Sequence, residues 1–258
     1  MGFWSNGMFT STVGWIHYLP ILTTVLAAGF CAQLFWRFQL RRSGAHLLWW
    51  GAGVFAYGLG TALESAITLL GNTVFLNKSW YIAGALLGGY PLAQGTVFLL
   101  LKRRTALALT SITLPLVIIL AVLVVWSPVA IDAMENHRPS GAVLGWQWIR
   151  AMTPLVNLYA VLFLVGGAVL SSVRYQAARA PGDGSRAFGN SLIAFGALLP
   201  AIGGSLAKVG FVEALYVGEF VGLVLICAGY LVCVRALRAG GRPDQPEPLA
   251  RDGPIDQT

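Results

Sequence analysis

The sequence predicts an all-helical membrane protein, a bundle of seven transmembrane helices, and two features of its composition lead to this fold class. Hydrophobic residues make up 57% of the 258 residues and charged residues only 10%, against about a quarter charged in a typical soluble domain. The hydrophobic residues are also grouped in runs of roughly 20, the length that crosses a bilayer. These runs exclude an ordinary soluble domain.

Charged residues and glycine or proline turns separate the apolar runs and so place the seven helices. Their predicted ranges are 17–38, 46–70, 80–101, 105–127, 148–171, 188–208 and 212–235. The bundle therefore occupies residues 1–238, and the polar, Pro/Gly-rich segment 239–258 is predicted to be a disordered cytoplasmic tail. The segment between helices 4 and 5, Ser127 to Gln147, is predicted to be a solvated loop.

Lys and Arg residues are concentrated at one end of the predicted bundle. Thirteen of the 17 follow helices 1, 3, 5 and 7. Since loops rich in Lys and Arg stay in the cytoplasm, the N-terminus is predicted to lie outside and the C-terminus inside, in a plasma or bacterial inner membrane. Topology thus accounts for the net charge of +7, and nucleic-acid binding is not expected.

The sequence carries no catalytic or cofactor motif. The three histidines are scattered along the chain, without the spacing of a zinc site, and the three cysteines lie in apolar runs without metal or haem spacing. Helix 7 has no lysine for a retinal Schiff base, and the nucleophile motifs of hydrolases are missing. An enzyme is therefore only the third choice of function, no metal site is predicted, and no cofactor is assigned.

Four short matches between the two halves suggest an internal repeat. They are Arg-aromatic-Gln at 37–39 and 174–176, Ala-aromatic-Gly at 56–58 and 194–196, Pro20 with Pro154, and Tyr81 with Tyr216. All have nearly the same offset, so helices 1–3 and 5–7 are predicted to be parallel copies joined by helix 4. The alternative is chance matching between apolar sequences.

This three-plus-one-plus-three layout resembles the SWEET and PQ-loop carriers of sugars and amino acids. The resemblance implies a carrier, a class in which parallel repeats are known. It concerns the layout alone, because the Pro-Gln dipeptide of PQ-loop proteins is absent. In "YPLAQG", two residues separate Pro91 from Gln94.

Glu64 is the most informative residue, because it is an acid inside predicted helix 2. On a helical wheel, one narrow stripe contains Trp50, Gly53, Tyr57, Thr61, Glu64 and Thr68. A charged group in hydrocarbon costs several kcal/mol, so this stripe is predicted to face the interior of the bundle.

Matching the depth of polar residues in the other helices gives Glu64 its predicted neighbours. The predicted cluster, in the outer third of the bundle, comprises Glu64, Glu219, Lys208, Asn157, Tyr57, Thr61 and Tyr216. Two interpretations stay open. The cluster is either a site for a ligand, a cation or a proton, or a structural ion pair in which Lys208 braces one of the acids. The small residues that share a stripe with Lys208, namely Asn190, Ala197, Ala201 and Gly204, are predicted to permit close helix packing.

A second polar set is predicted nearer the cytoplasm, with Tyr90, Pro91 and Gln94 on helix 3 and Tyr230 on helix 7. Pro91, Pro115 and Pro200 are predicted to kink their helices. These kinks are either static or hinges for alternating access.

Two classes of function fit these observations. The first is a small-solute or proton-coupled carrier with a charged site in the outer third of the bundle. The second is a seven-helix sensor or receptor-like module that signals through a separate partner. The expected partners are the lipid bilayer and a small-molecule ligand, while the sequence indicates neither the substrate nor the oligomeric state.

Overall fold

The computed structural model describes residues 15–41, 44–178 and 182–240, and these residues form seven long helices without a β-sheet. The helices are α1 Leu19–Arg41, α2 Ala45–Leu70, α3 Val74–Leu100, α4 Arg103–Trp126, α5 Gln147–Ala178, α6 Asp183–Lys208 and α7 Glu213–Gly240. All seven are long and apolar enough to cross a membrane, so the prediction of an all-helical chain with seven long apolar helices is confirmed. The predicted tail lies outside the described residues, except for its first two, which end α7.

Helix α3 begins at Val74, six residues before its predicted start at residue 80. The side chain of Thr73 caps this end by accepting a hydrogen bond from the backbone N–H of Leu76. The prediction placed Lys78 outside the helix because of its charge. In the structure Lys78 stays helical because its ammonium donates to the backbone carbonyls of Val125 and Ser127, at 2.8 and 2.6 Å.

Two helices change their winding within the span. α3 is π-helical over Tyr81–Leu86 and becomes α-helical again over Tyr90–Leu100, while α5 is π-helical over Val161–Val165. Pro91 lies in the first turn of the second α-helical segment, where its missing N–H removes no backbone hydrogen bond. The π-turn and the irregular residues 87–89 interrupt α3 directly before it.

Six helices close into a ring in the order α1, α2, α3, α5, α6, α7 and back to α1, with α4 outside against α3 and α5. The outer surface of α4 consists of large apolar side chains, among them Ile112, Leu116 and Ile119, each more than half exposed. Surfaces of this kind are soluble only in lipid. The chain is therefore a multi-pass membrane protein.

The tightest helix pair in the ring is α6 with α7, and glycines make its close approach possible. A Cβ atom added at Gly196 would lie 2.6 Å from the carbonyl oxygen of Gly222, and one at Gly203 would lie 2.5 Å from that of Ala214. The predicted stripe of small residues on α6 was placed one position too far along the chain, since Ala201 is exposed while Gly189, Gly196 and Gly203 face α7. One position corresponds to about 100° around a helix.

Candidate functional site

The carboxyl group of Glu64 lies inside the ring, and its side chain is only 1% exposed. Its Oε1 accepts a hydrogen bond of 2.8 Å from the indole N–H of Trp80 on α3. Its Oε2 is buried and has no hydrogen-bond partner among the described residues. One of the two carboxyl oxygens of Glu64 is thus left unsatisfied in the interior of the bundle.

Glu219 brings a second carboxyl group to the same place from α7. The two acidic side chains lie within hydrogen-bonding reach of each other, and Oε2 of Glu219 is also buried without a partner. Glu64 lies six residues before the end of α2 and Glu219 six residues after the start of α7, roughly 9 Å along each helix axis. This equal depth is what lets the two acids meet.

Ion pairing among the described residues does not neutralise this carboxyl pair. The ion pairs they form are Glu135 with Arg138 and Asp183 with Arg186, and both lie elsewhere. The backbone of Lys208 ends α6, but its side chain lies outside the described part of the structure. Two ionised carboxylates in contact in a low-dielectric interior repel each other strongly. A single proton held between the two carboxyl groups removes this repulsion.

Tyrosine and threonine side chains surround the pair. The hydroxyl of Tyr57 donates to the backbone carbonyl of Glu219 at 2.9 Å, and the hydroxyl of Thr61 lies 2.9 Å from that of Thr24 on α1. Tyr216 is almost completely buried, with its ring edge-on to that of His17 at 5.6 Å between centroids. These contacts tie α1 and α2 to α7 around the acids.

Six of the seven residues in the predicted cluster can be placed. The structure brings Glu64, Glu219, Tyr57, Thr61 and Tyr216 together, whereas Asn157 is exposed on α5 and does not join them. Depth matching selected Asn157, but depth gives no information about which way a helix is turned.

Trp80 was not among the predicted neighbours of Glu64. A buried indole N–H needs an acceptor. The start of α3 lies at the same end of the bundle as the end of α2, where Glu64 is located. These two signals together could have indicated the contact between Trp80 and Glu64.

The segment between α4 and α5 packs against the end of the bundle nearest the carboxyl pair, while its acids Asp132 and Glu135 are exposed to solvent as predicted. A ring nitrogen of His137 lies 3.2 Å from the backbone carbonyl of Thr68. The side-chain amide of Asn72 donates to the carbonyls of Glu135 and Arg138, at 2.9 and 3.0 Å. Polar contacts to the turn between α2 and α3 therefore hold the segment down as a cap.

The second predicted polar set divides into two groups. Gln94 accepts from the hydroxyl of Tyr159 at 2.7 Å and donates to Thr110 at 2.6 Å, and Tyr90 bonds Thr113 at 2.9 Å. Tyr230 instead lies beside Arg37, far along α7. The Gln94 group has its hydrogen bonds formed and therefore behaves as a brace between α3, α4 and α5.

We expect the Tyr159→Phe variant to lose about 1 kcal/mol of unfolding free energy, because Oε1 of Gln94 then loses its donor in the interior. Thermal unfolding in detergent measures the loss. Tyr18→Phe, at an exposed ring, is the control, and equal stability of the two variants would contradict the bracing role of Gln94.

A small cavity lies at the centre of the ring, beyond the carboxyl pair. Its volume is about 70 Å³, which is room for several water molecules. Its walls are mainly apolar, with Val54 and Leu92 on one side and Leu164 and Ile226 on the other. The centre of the ring is therefore a small and mainly apolar space in this conformation.

Among the described residues, no three His, Cys, Asp or Glu side chains are grouped closely enough to hold a metal ion. No protein-family model, no curated protein and no solved structure matches the chain.

Proposed function

We propose that this protein is a proton-coupled carrier of a small solute, in which the Glu64–Glu219 pair is the proton site. The observation that carries the proposal is the pair of buried, unpartnered Oε2 atoms on two acids that touch. A carboxylic acid hydrogen-bonded to a carboxylate holds one exchangeable proton between the two groups. Intramembrane acids of this kind are the usual components of proton relays.

The position of the pair couples binding of the proton to movement of α2 relative to α7. Glu64 belongs to the first group of three helices and Glu219 to the second, so the pair connects the two halves across the interior of the ring. Loss of the shared proton would leave two like charges in contact, which favours separation of α2 from α7. Return of the proton favours closure.

The order of helices in the ring supports the carrier class. The helices α1–α2–α3 and α5–α6–α7 follow one another in the same sense around the ring, with α4 outside. This is the order that a parallel duplication requires, and carriers built from repeats rock one half against the other around a central site. The small central cavity between the halves is where a solute path would open.

The proposal also takes the carboxyl end of the bundle to be external, following the distribution of Lys and Arg. The proton would then enter from outside, through the cap formed by the segment between α4 and α5.

A proteoliposome experiment tests the proposal. Vesicles that contain the full-length protein and an entrapped pH-sensitive dye are given a hexose, a neutral amino acid and a lipophilic cation in turn. At least one solute is expected to move protons into wild-type vesicles, and the variants Glu64→Gln and Glu219→Gln are expected to lose that movement.

The matched control is Glu135→Gln, which removes an acid from the exposed cap and should leave the coupling intact. Solute uptake that continues unchanged without Glu64 and Glu219 would contradict the proposal. Binding of a solute without movement of solute or proton would favour the receptor-like alternative instead.

A further inference from the structure

A groove of about 360 Å³ runs between α1 and α7, at the opposite end of the bundle from the carboxyl pair. Its walls come from one face of each helix, and it is lined by Gln33, Trp36, Arg37, Leu40, Leu231, Val234 and Arg235. Gln33, Arg37 and Leu40 follow one another at helical spacing on α1, as do Leu231, Val234 and Arg235 on α7. The groove is therefore built from two regular helix faces.

The two arginines give the groove its charge. A terminal N–H of Arg37 donates to the hydroxyl of Tyr230 at 3.1 Å, and its guanidinium lies 5.5 Å from the centre of that ring. These contacts hold one cation in place at the groove wall. Arg235 is exposed on the facing helix, so the second cation points away from the protein core.

The remainder of the groove is suited to hydrocarbon and to the membrane interface. Leu40 is 68% exposed and Trp36 is 63% exposed, and Leu231 and Val234 add further apolar surface. Tryptophan is enriched at the level of the lipid headgroups. A molecule that fills this groove must therefore present an anion to the arginines and an apolar chain to Trp36 and Leu231, which lie on the bilayer side of them.

We propose that the groove binds one anionic phospholipid, with its phosphate between Arg37 and Arg235 and an acyl chain running from there toward the bilayer centre along Trp36 and Leu231. Basic pockets between transmembrane helices are known to hold acidic lipid headgroups. The distribution of Lys and Arg predicts that this end is cytoplasmic, and anionic lipids are concentrated in that leaflet. The inference does not depend on the proposed carrier function.

Native mass spectrometry of the full-length protein in detergent tests the site. The protein is titrated with equal amounts of dioleoyl phosphatidylglycerol and dioleoyl phosphatidylcholine, and the first bound lipid is identified. Wild type is expected to prefer phosphatidylglycerol by about tenfold or more, as expected for two cations near the headgroup. Arg235→Gln should lose most of that preference while leaving the contact between Arg37 and Tyr230 intact.

The matched control is the double variant Arg103→Gln/Arg104→Gln, because these exposed arginines lie at the same end of the bundle but outside the groove. Unchanged preference in this control supports the site. Equal loss in both variants would overturn the proposal in favour of general charge attraction. Displacement of the lipid by inorganic phosphate at the same concentration would overturn it too, since the acyl chain would then contribute nothing.

Discussion

Replacing Gly196 by leucine is expected to cost at least about 2–3 kcal/mol of unfolding free energy, because the new side chain meets backbone rather than movable atoms. Its Cβ atom alone would lie 2.6 Å from the carbonyl oxygen of Gly222 and 2.9 Å from the Cβ of Leu225. Helices α6 and α7 would have to move apart. Thermal unfolding of the purified protein in detergent, followed by tryptophan fluorescence, measures the cost.

The control for this experiment is Gly29→Leu on α1. A Cβ atom at Gly29 meets nothing within 4 Å, so leucine there only adds apolar surface on the lipid side. If Gly196→Leu is as stable as Gly29→Leu, glycine packing does not hold α6 against α7.

The second large expected effect is a difference in unfolding free energy between variants at Glu64 and a variant at Lys208. If Lys208 were the buried partner of Glu64, removing either charge would leave the other unpaired, at a cost of about 3–5 kcal/mol. If the two acids share a proton, Lys208→Gln is expected to leave the unfolding free energy unchanged within about 0.5 kcal/mol. Glu64→Leu, by contrast, removes the acceptor of Trp80 and should cost about 2–3 kcal/mol.

The amide variant separates packing from protonation. Gln at position 64 keeps an oxygen for Trp80 and supplies an N–H to the carboxylate of Glu219, so Glu64→Gln should retain most of the stability that Glu64→Leu loses. Strong destabilisation by Lys208→Gln would support the ion pair instead.

Much of the bundle could be predicted from the sequence because a bilayer imposes strong rules. Each apolar run had to become a helix, since lipid offers no partner for free backbone groups. The depth of an acid along its helix follows from residue number, and this brought Glu64 and Glu219 together. The interior position of Glu64 followed from the energetic cost of exposing it to lipid.

The rotation of each helix about its axis and the order of the helices around the ring could not be predicted from the sequence. Asn157 lies at a suitable depth but is exposed on α5, and the tight face of α6 was misplaced by one residue. The order of helices around the ring depends on close contacts such as Gly196 with Gly222, which become visible only when both helices are placed. Lys78 shows a further limit, because its charge indicated a helix boundary while two backbone carbonyls keep it within α3.

Infrared spectroscopy tests the shared proton at Glu64 and Glu219 most directly. At neutral pH a protonated carboxylic acid has a carbonyl stretch that an ionised carboxylate lacks. Wild type in deuterated buffer is expected to show this band, and the double variant Glu64→Gln/Glu219→Gln is expected to lose it, while Glu135→Gln keeps it. A wild-type spectrum without the band, or a band that survives in the double variant, would contradict the account.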